Sequence, residues 1–223
     1  MALFGLLHLA ILAATLIASA GLAWTARESA TAGRVARVVL GVGLAVNELT
    51  WYGYRYSQEG FRFPEGLPLE LCDVAVWVTV IACLSRSVVA TELVYFPGLG
   101  GSAMAMLTPD LWAPCPSYPT TYFFVAHGAV IAAISLLVFG RLVTLRKGCV
   151  LRVFGLTNLY VVAVAVFDRM FQTNYLYLCQ KPANASLLDL FGPWPIYIFV
   201  AEGFALALFW IMWLPVRRWA RSS

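Results

Sequence analysis

Apolar windows of membrane-spanning length recur along the chain, separated by short segments that carry Arg, Pro and Gly. Seven are legible, at about 2–24, 35–54, 67–84, 89–107, 121–140, 153–172 and 195–214. None alternates with a period of two, as the strand of a lipid-facing barrel must. Hydrocarbon offers no partners to backbone N–H and C=O groups, so each window is expected to satisfy its own as a helix. A helix of about 20 residues covers the apolar thickness of a bilayer. The pattern therefore predicts an all-α fold, one integral membrane domain over residues 1–223 with seven transmembrane helices. Pro97, Gly98, Gly100 and Gly101 interrupt the fourth window, and a broken or closely packed helix is expected there. The first window lacks a basic start and exceeds the core length of a cleaved signal. It reads as a span, although Ala18-Ser19-Ala20 has the small residues of a cleavage site.

Composition sharpens this reading. The 223 residues are 61% hydrophobic and 12% charged, about half the charge of a soluble domain. Too little polar surface remains to cover a water-soluble globule. Charge then sets an expected orientation. The segments after the first, third, fifth and seventh windows hold Arg27, Arg34, Arg37, Arg86, Arg141, Arg146, Lys147, Arg152, Arg217, Arg218 and Arg221. The opposite segments hold only Arg55, Arg62 and Lys181, with Arg169 at a span end. The basic side is expected in the cytoplasm, which puts the N-terminus outside and the C-terminus inside. The net charge of +4 then reports topology and anionic lipid, with no nucleic-acid partner implied. No feature points to an obligate protein partner. The alanine-rich, lysine-poor chain suggests a bacterial inner (plasma) membrane.

Topology also sorts the five cysteines. Cys115 and Cys179 fall in the two longest outer segments, where a disulfide between them is a candidate. Cys83 and Cys149 fall toward the basic side, and Cys72 lies inside a span. Asn184-Ala-Ser186 has the form of a glycosylation acceptor in an outer segment.

At ~1.5 Å per residue, a depth can be given to every polar group in a span. His8, Asn47, Glu48, Cys72, Asp73, His127, Asp168, Arg169, Asn174 and Glu202 fall in one layer about 10 Å below the outer interface. The inner half holds less: Ser135, Thr157, Asn158 and Glu92. An ionisable group in hydrocarbon costs at least ~2.5–3.5 kcal/mol. Such a layer needs internal partners or water, and it implies either a packing network or a hydrated pocket. Within it, Cys72 lies near a helix start marked by Pro68, where the helix dipole favours a thiolate. His127 shares its depth on another helix. A thiol, an imidazole that takes its proton and a carboxylate that orients the imidazole make up the logic of covalent acyl transfer. Glu48, Asp73, Asp168 or Glu202 is expected to orient the ring. Arg169, Asn47 or Asn174 is expected to steady an oxyanion or lipid phosphate. A metal site built from His8, His127, Cys72 and a carboxylate is a weaker reading, since two histidines at an unpatterned spacing make no ligand motif. No metal or cofactor is expected.

Several motifs resemble the YwaF-like integral membrane family. They include Leu67-Pro-Leu-Glu-Leu-Cys-Asp73, Leu107-Thr-Pro-Asp-Leu111, Phe124-Val-Ala-His-Gly128, Asn174-Tyr-Leu-Tyr177, Gly192-Pro-Trp-Pro195 and Glu202. Together they cover most of residues 48–215. The resemblance implies an acyltransferase that places acyl chains on lysophospholipids through a Cys/His pair, matched here by Cys72 and His127. It brings Asp110 into the set of supporting polar residues. The family also resembles membrane hydrolases of fatty acid esters that use Thr with His, and Cys stands here in place of Thr. The expected activity is thus acyl transfer to or between membrane (lyso)phospholipids through a Cys-linked intermediate. Lipid ester hydrolysis, or non-enzymatic lipid binding or transport, are the alternatives.

Overall fold

The computed structural model describes residues 3–111, 113–182 and 186–221; Asn184 and Ala185 of the glycosylation motif lie outside them. Seven helices follow one another: α1 Leu6–Glu28, α2 Ala30–Glu59, α3 Leu71–Ser85, then α4, α5 Tyr118–Phe139, α6 Cys149–Phe171 and α7 Ile196–Trp213. Helix α4 runs through Val88–Leu93, a π turn Val94–Gly98 and Leu99–Leu107. Among the described residues there is no strand, only an isolated bridge between Arg146 and Arg221. The fold is all-α.

The irregular fourth window is a continuous helix with a wide turn. Pro97 lacks an N–H, and its ring crowds the carbonyl four residues back; the π turn around it makes that room. The third helix differs more from expectation. It starts at Leu71 behind Glu70 as N-cap, so Pro68 precedes the helix instead of sitting in its first turn. Residues 60–70 are held instead by α6 and the segment that follows it. Tyr175 Oη donates to Pro64 O (2.8 Å), Tyr160 Oη to Leu69 O (2.7 Å), and Leu176 N to Glu70 Oε2 (3.3 Å). Cys72 becomes the second residue of α3.

Helix α5 is central. In its most apolar stretch 78% of residues are buried, against 17% in α1 and α6 and 11% in α7. The peripheral helices turn Leu16, Ile17, Leu159, Val162, Phe199 and Ile211 outward, a surface that lipid covers and water does not. By length and composition four helices, α1, α5, α6 and α7, suffice to cross a membrane, while α3 is apolar but only 15 residues long. Small residues bring α2 and α3 together: a Cβ on Gly41 would lie 2.9 Å from Cys83 Cβ.

The basic side chains gather at one end of the bundle, where they cap helix C-termini. Arg27 Nε donates to Phe139 O (2.7 Å), Arg37 to Leu84 O (3.0 Å) and Arg86 to Leu142 O (3.1 Å). The first two bonds satisfy carbonyls that a helix end leaves without partners, and the third ties down the segment after α5. At the same end Glu92 is fully buried. Its carboxylate accepts from Arg146 N (2.9 Å), Nε (3.0 Å) and an Arg146 terminal nitrogen (2.7 Å), and from Arg152 (2.8 Å).

Candidate active site

Depth alone placed ten polar residues in one layer; the structure divides them among several settings. His8 is the clearest departure. Its Nδ1 accepts from Phe4 N (3.0 Å) and its Nε2 meets Met106 O (2.8 Å), so both ring nitrogens serve backbone groups. His8 ties α1 to the end of α4 and has no lone pair left for a metal. Asp168 and Asn174 shape the segment after α6. Asp168 Oδ1 accepts from Thr173 Oγ1 (2.6 Å) and Tyr175 N (3.0 Å). Asn174 Oδ1 accepts from Cys179 N (2.9 Å) and Gln180 N (3.0 Å), and its amide donates to Gln180 O (2.9 Å). These bonds hold the Asn174 amide in the loop. Arg169 and Asp110 are exposed. Cys115 and Cys179 are free thiols, so the expected bridge between them is not formed.

Three elements converge on what remains. The start of α3 brings Cys72, the middle of α5 brings His127 and Tyr122, and α4 beyond its π turn brings Ser102. Together with Val76, Ala126 and Val130 they line one cavity of about 20 Å³, room for about one water. His127 is buried, at 8% exposure, and its Nε2 has no hydrogen-bond partner. Its Nδ1 lies 2.8 Å from Phe123 O. A carbonyl can only accept, so Nδ1 carries the proton and Nε2 holds a free lone pair in the neutral ring. The ring is therefore oriented by the carbonyl one helical turn back. None of Glu48, Asp73, Asp168 and Glu202 does so. The reason is local: every helix offers a histidine the carbonyl four residues before it, and no tertiary partner has to be found.

Cys72 keeps accessible surface besides its place in the cavity, as a thiol must if an ester is to reach it. Glu48, Glu70 and Asp73 stand close enough to act on it electrostatically. Glu48 is fully buried and accepts from Tyr122 Oη at 2.7 Å. Above it Tyr122 stacks on Trp51, with centroids 4.4 Å apart and planes 10° from parallel. On its other side Tyr52 Oη takes the Trp77 indole N–H at 2.9 Å. Glu48 thus anchors Tyr122 in the cavity wall. The Nδ2 of Asn47 and Oε1 of Glu48 are buried without hydrogen-bond partners.

Beside this polar site lie two apolar cavities, of about 270 and 260 Å³, which share Leu71, Pro97 and Thr157 as wall residues. Leu71 is the immediate neighbour of Cys72. Each cavity approaches twice the ~150 Å³ apolar void that takes up benzene. The larger is walled by α4, α6, α7 and Tyr177, which stands within electrostatic reach of Cys72. Its one ionisable acid, Glu202, accepts from Asn158 Nδ2 at 2.8 Å. Glu202 therefore belongs to the apolar cavity and not to the imidazole. Ser102 is not among the residues that the sequence marks out, yet it lines the same cavity.

A central helix wrapped by helices with apolar outer faces, beside a cavity lined by a thiol and an imidazole, defines an integral membrane protein of the helical-bundle class. The chain belongs to the TMEM164 family, whose model matches residues 3–213. No curated protein and no solved structure matches it.

Proposed function

We propose that this protein is a membrane-embedded acyltransferase that moves a fatty acyl group to or between (lyso)phospholipids through a thioester on Cys72. The observation that carries the reading is the unpartnered Nε2 of His127 in the cavity that Cys72 also lines. His127 Nε2 takes the thiol proton as sulfur attacks the acyl carbonyl carbon. The ester C–O bond breaks, and the leaving oxygen takes that proton from Nε2. In the second half a lysolipid hydroxyl gives its proton to Nε2 and attacks the thioester, and the sulfur leaves and is reprotonated. The apolar cavities beside Leu71 suit the acyl chain. The likeness of the Cys72 and His127 motifs to those of YwaF-like proteins supports the same pair. The gathering of arginines at one end supports seven spans with that end in the cytoplasm of a bacterial plasma membrane.

Hydrolysis is a second reading, favoured by one observation: the cavity beside Nε2 has room for a water that could replace the lysolipid as acceptor. One experiment separates these readings. Full-length protein in lipid nanodiscs is incubated with a fluorescent phospholipid, with and without lysophospholipid. Wild type should form a new diacyl lipid and carry an acyl group on the Cys72 peptide, and Cys72→Ala should do neither. Release of free fatty acid alone would favour the hydrolase. Unchanged turnover in Cys72→Ala would overturn both.

The larger cavity makes a further prediction about chain length. Gly101 lines it, and a Cβ there would meet nothing within 4 Å. Gly101→Phe should fill space that an acyl chain uses. Displacing three methylenes, at about 0.8 kcal/mol each, lowers turnover of long chains some 50-fold. Short-chain esters should be turned over as before. A uniform loss across a series of chain lengths would assign the cavity no part in chain selection.

A further inference from the structure

Ser102 sits in α4 just beyond the π turn, is buried, and lines the cavity of Cys72 and His127. Helical hydroxyls in this protein are mostly spent on the backbone. Thr15, Ser19, Thr79, Thr91 and Thr121 all donate to the carbonyl four residues back, at 2.7–2.9 Å. Ser102, four residues beyond Gly98 at the end of the π turn, makes no such bond. A hydroxyl that its own helix does not engage is free to donate to a group that enters the cavity. The neighbouring Nε2 of His127 is buried and unpartnered. The Ser102 hydroxyl and the unpartnered His127 Nε2 therefore line one space of about 20 Å³, room for about one small polar group.

Other polar groups near the thiol are poorly suited to stabilise a negative oxygen. Tyr122 Oη is committed to Glu48, and the carboxyl groups of Glu48, Glu70 and Asp73 would repel it when ionised. Arg169 is exposed and Asn174 is engaged in its loop. A hydroxyl is a donor that needs only to rotate.

We infer that Ser102 is a third catalytic residue, whose hydroxyl donates to the oxyanion of the tetrahedral intermediate formed on Cys72. This inference rests on the acyl-transfer reading. As the sulfur–carbon bond forms, the carbonyl π electrons move onto oxygen, and Ser102 Oγ–H donates to that oxygen. When the C–O bond to the leaving group breaks, those electrons restore the carbonyl and Ser102 is left unchanged. It donates again when the acceptor attacks the thioester. Ser102 forms no covalent bond in either half.

The test uses the full chain in nanodiscs, with 4-nitrophenyl octanoate as acyl donor. Ser102→Ala should lower kcat by about 10²–10³-fold with KM nearly unchanged, the mark of an interaction made in the transition state. Octanoate should still appear on the Cys72 peptide, only more slowly. Ser102→Cys removes the strong donor at nearly constant shape and should fall with the alanine variant; Ser102→Thr keeps the hydroxyl and should restore most of the rate. Thermal melting of each variant shows whether folding is intact. A kcat within about threefold of wild type in both Ser102→Ala and Ser102→Cys would overturn the assignment. So would octanoate found on Ser102 of the wild type, which would make it the nucleophile. Full activity in Cys72→Ala would instead sink the acyl-transfer reading on Cys72 itself. Loss in Cys72→Ala without loss in the Ser102 variants would sink only the role of Ser102.

Discussion

Exchange of His127 for alanine is expected to lower acyl transfer by about 10²–10⁴-fold while leaving the protein folded. That range is what a positioned general base contributes. The geometry makes the effect attributable to one atom. Phe123 O at 2.8 Å holds the proton on Nδ1, and Nε2 has no partner that its loss would orphan. Removing the ring enlarges a cavity of about 20 Å³ and costs the Phe123 carbonyl one donor, although that carbonyl can keep its helical one. Stability should therefore fall modestly and turnover steeply. His127→Gln separates the two effects, since an amide can donate to Phe123 O but offers no basic nitrogen. It should melt close to wild type and remain inactive. Initial rates of lipid product, read beside thermal melting in the same nanodiscs, check both halves. Activity retained in His127→Gln would remove the imidazole from the mechanism.

The second large effect concerns stability at the opposite end of the bundle. Glu92→Gln is expected to destabilise the protein by about 3 kcal/mol, the low end of what breaking a buried ion pair costs. The carboxylate is only 1% exposed and joins Arg146 to Arg152. Both arginines keep about 30% exposure, so water partly compensates them when the acid is lost, and the low end applies. For a chain of this size that corresponds to a melting temperature lower by roughly 6–12 °C, where unfolding is reversible enough to compare. The ion pair of Arg62 with Glu59, at 3.3 Å with both side chains well exposed, provides the contrast. Arg62→Ala should change stability by less than about 1 kcal/mol. Equal losses from the two substitutions would show that burial of Glu92 is not what gives the clamp its strength.

These two sites differ in how far the chain alone announced them. Cys72 and His127 were expected at one depth from their positions within apolar windows, their residue types announce the chemistry, and both line one cavity. Glu92 also had a depth, at the basic edge, but nothing in its neighbourhood named Arg146 and Arg152, more than 50 residues away, as its partners. His8 shows the converse error. A histidine in the polar layer looked available, yet Met106 O, 98 positions along the chain, occupies its second nitrogen. Asp168 and Asn174 looked like pocket residues, but Asp168 Oδ1 and the Asn174 amide bind the turn that follows α6, within seven residues of each. Ser102 had no distinguishing mark, because a serine in an apolar helix usually bonds to its own backbone.

By itself the sequence determined the all-helical class, the seven apolar windows, the segregation of Arg and Lys, and the position of each polar side chain along its window. These are one-dimensional properties, set by the need to satisfy backbone groups in hydrocarbon and by the rise per residue along a helix. Only the tertiary structure decided which way each residue faces. Successive residues turn by about 100° around the axis, so two groups at one depth can meet in a cavity or look out on opposite sides. That rotation, set by the packing of α3, α4 and α5, brings Cys72, His127 and Ser102 together, leaves Arg169 exposed, and gives Glu202 to Asn158 instead of to the imidazole.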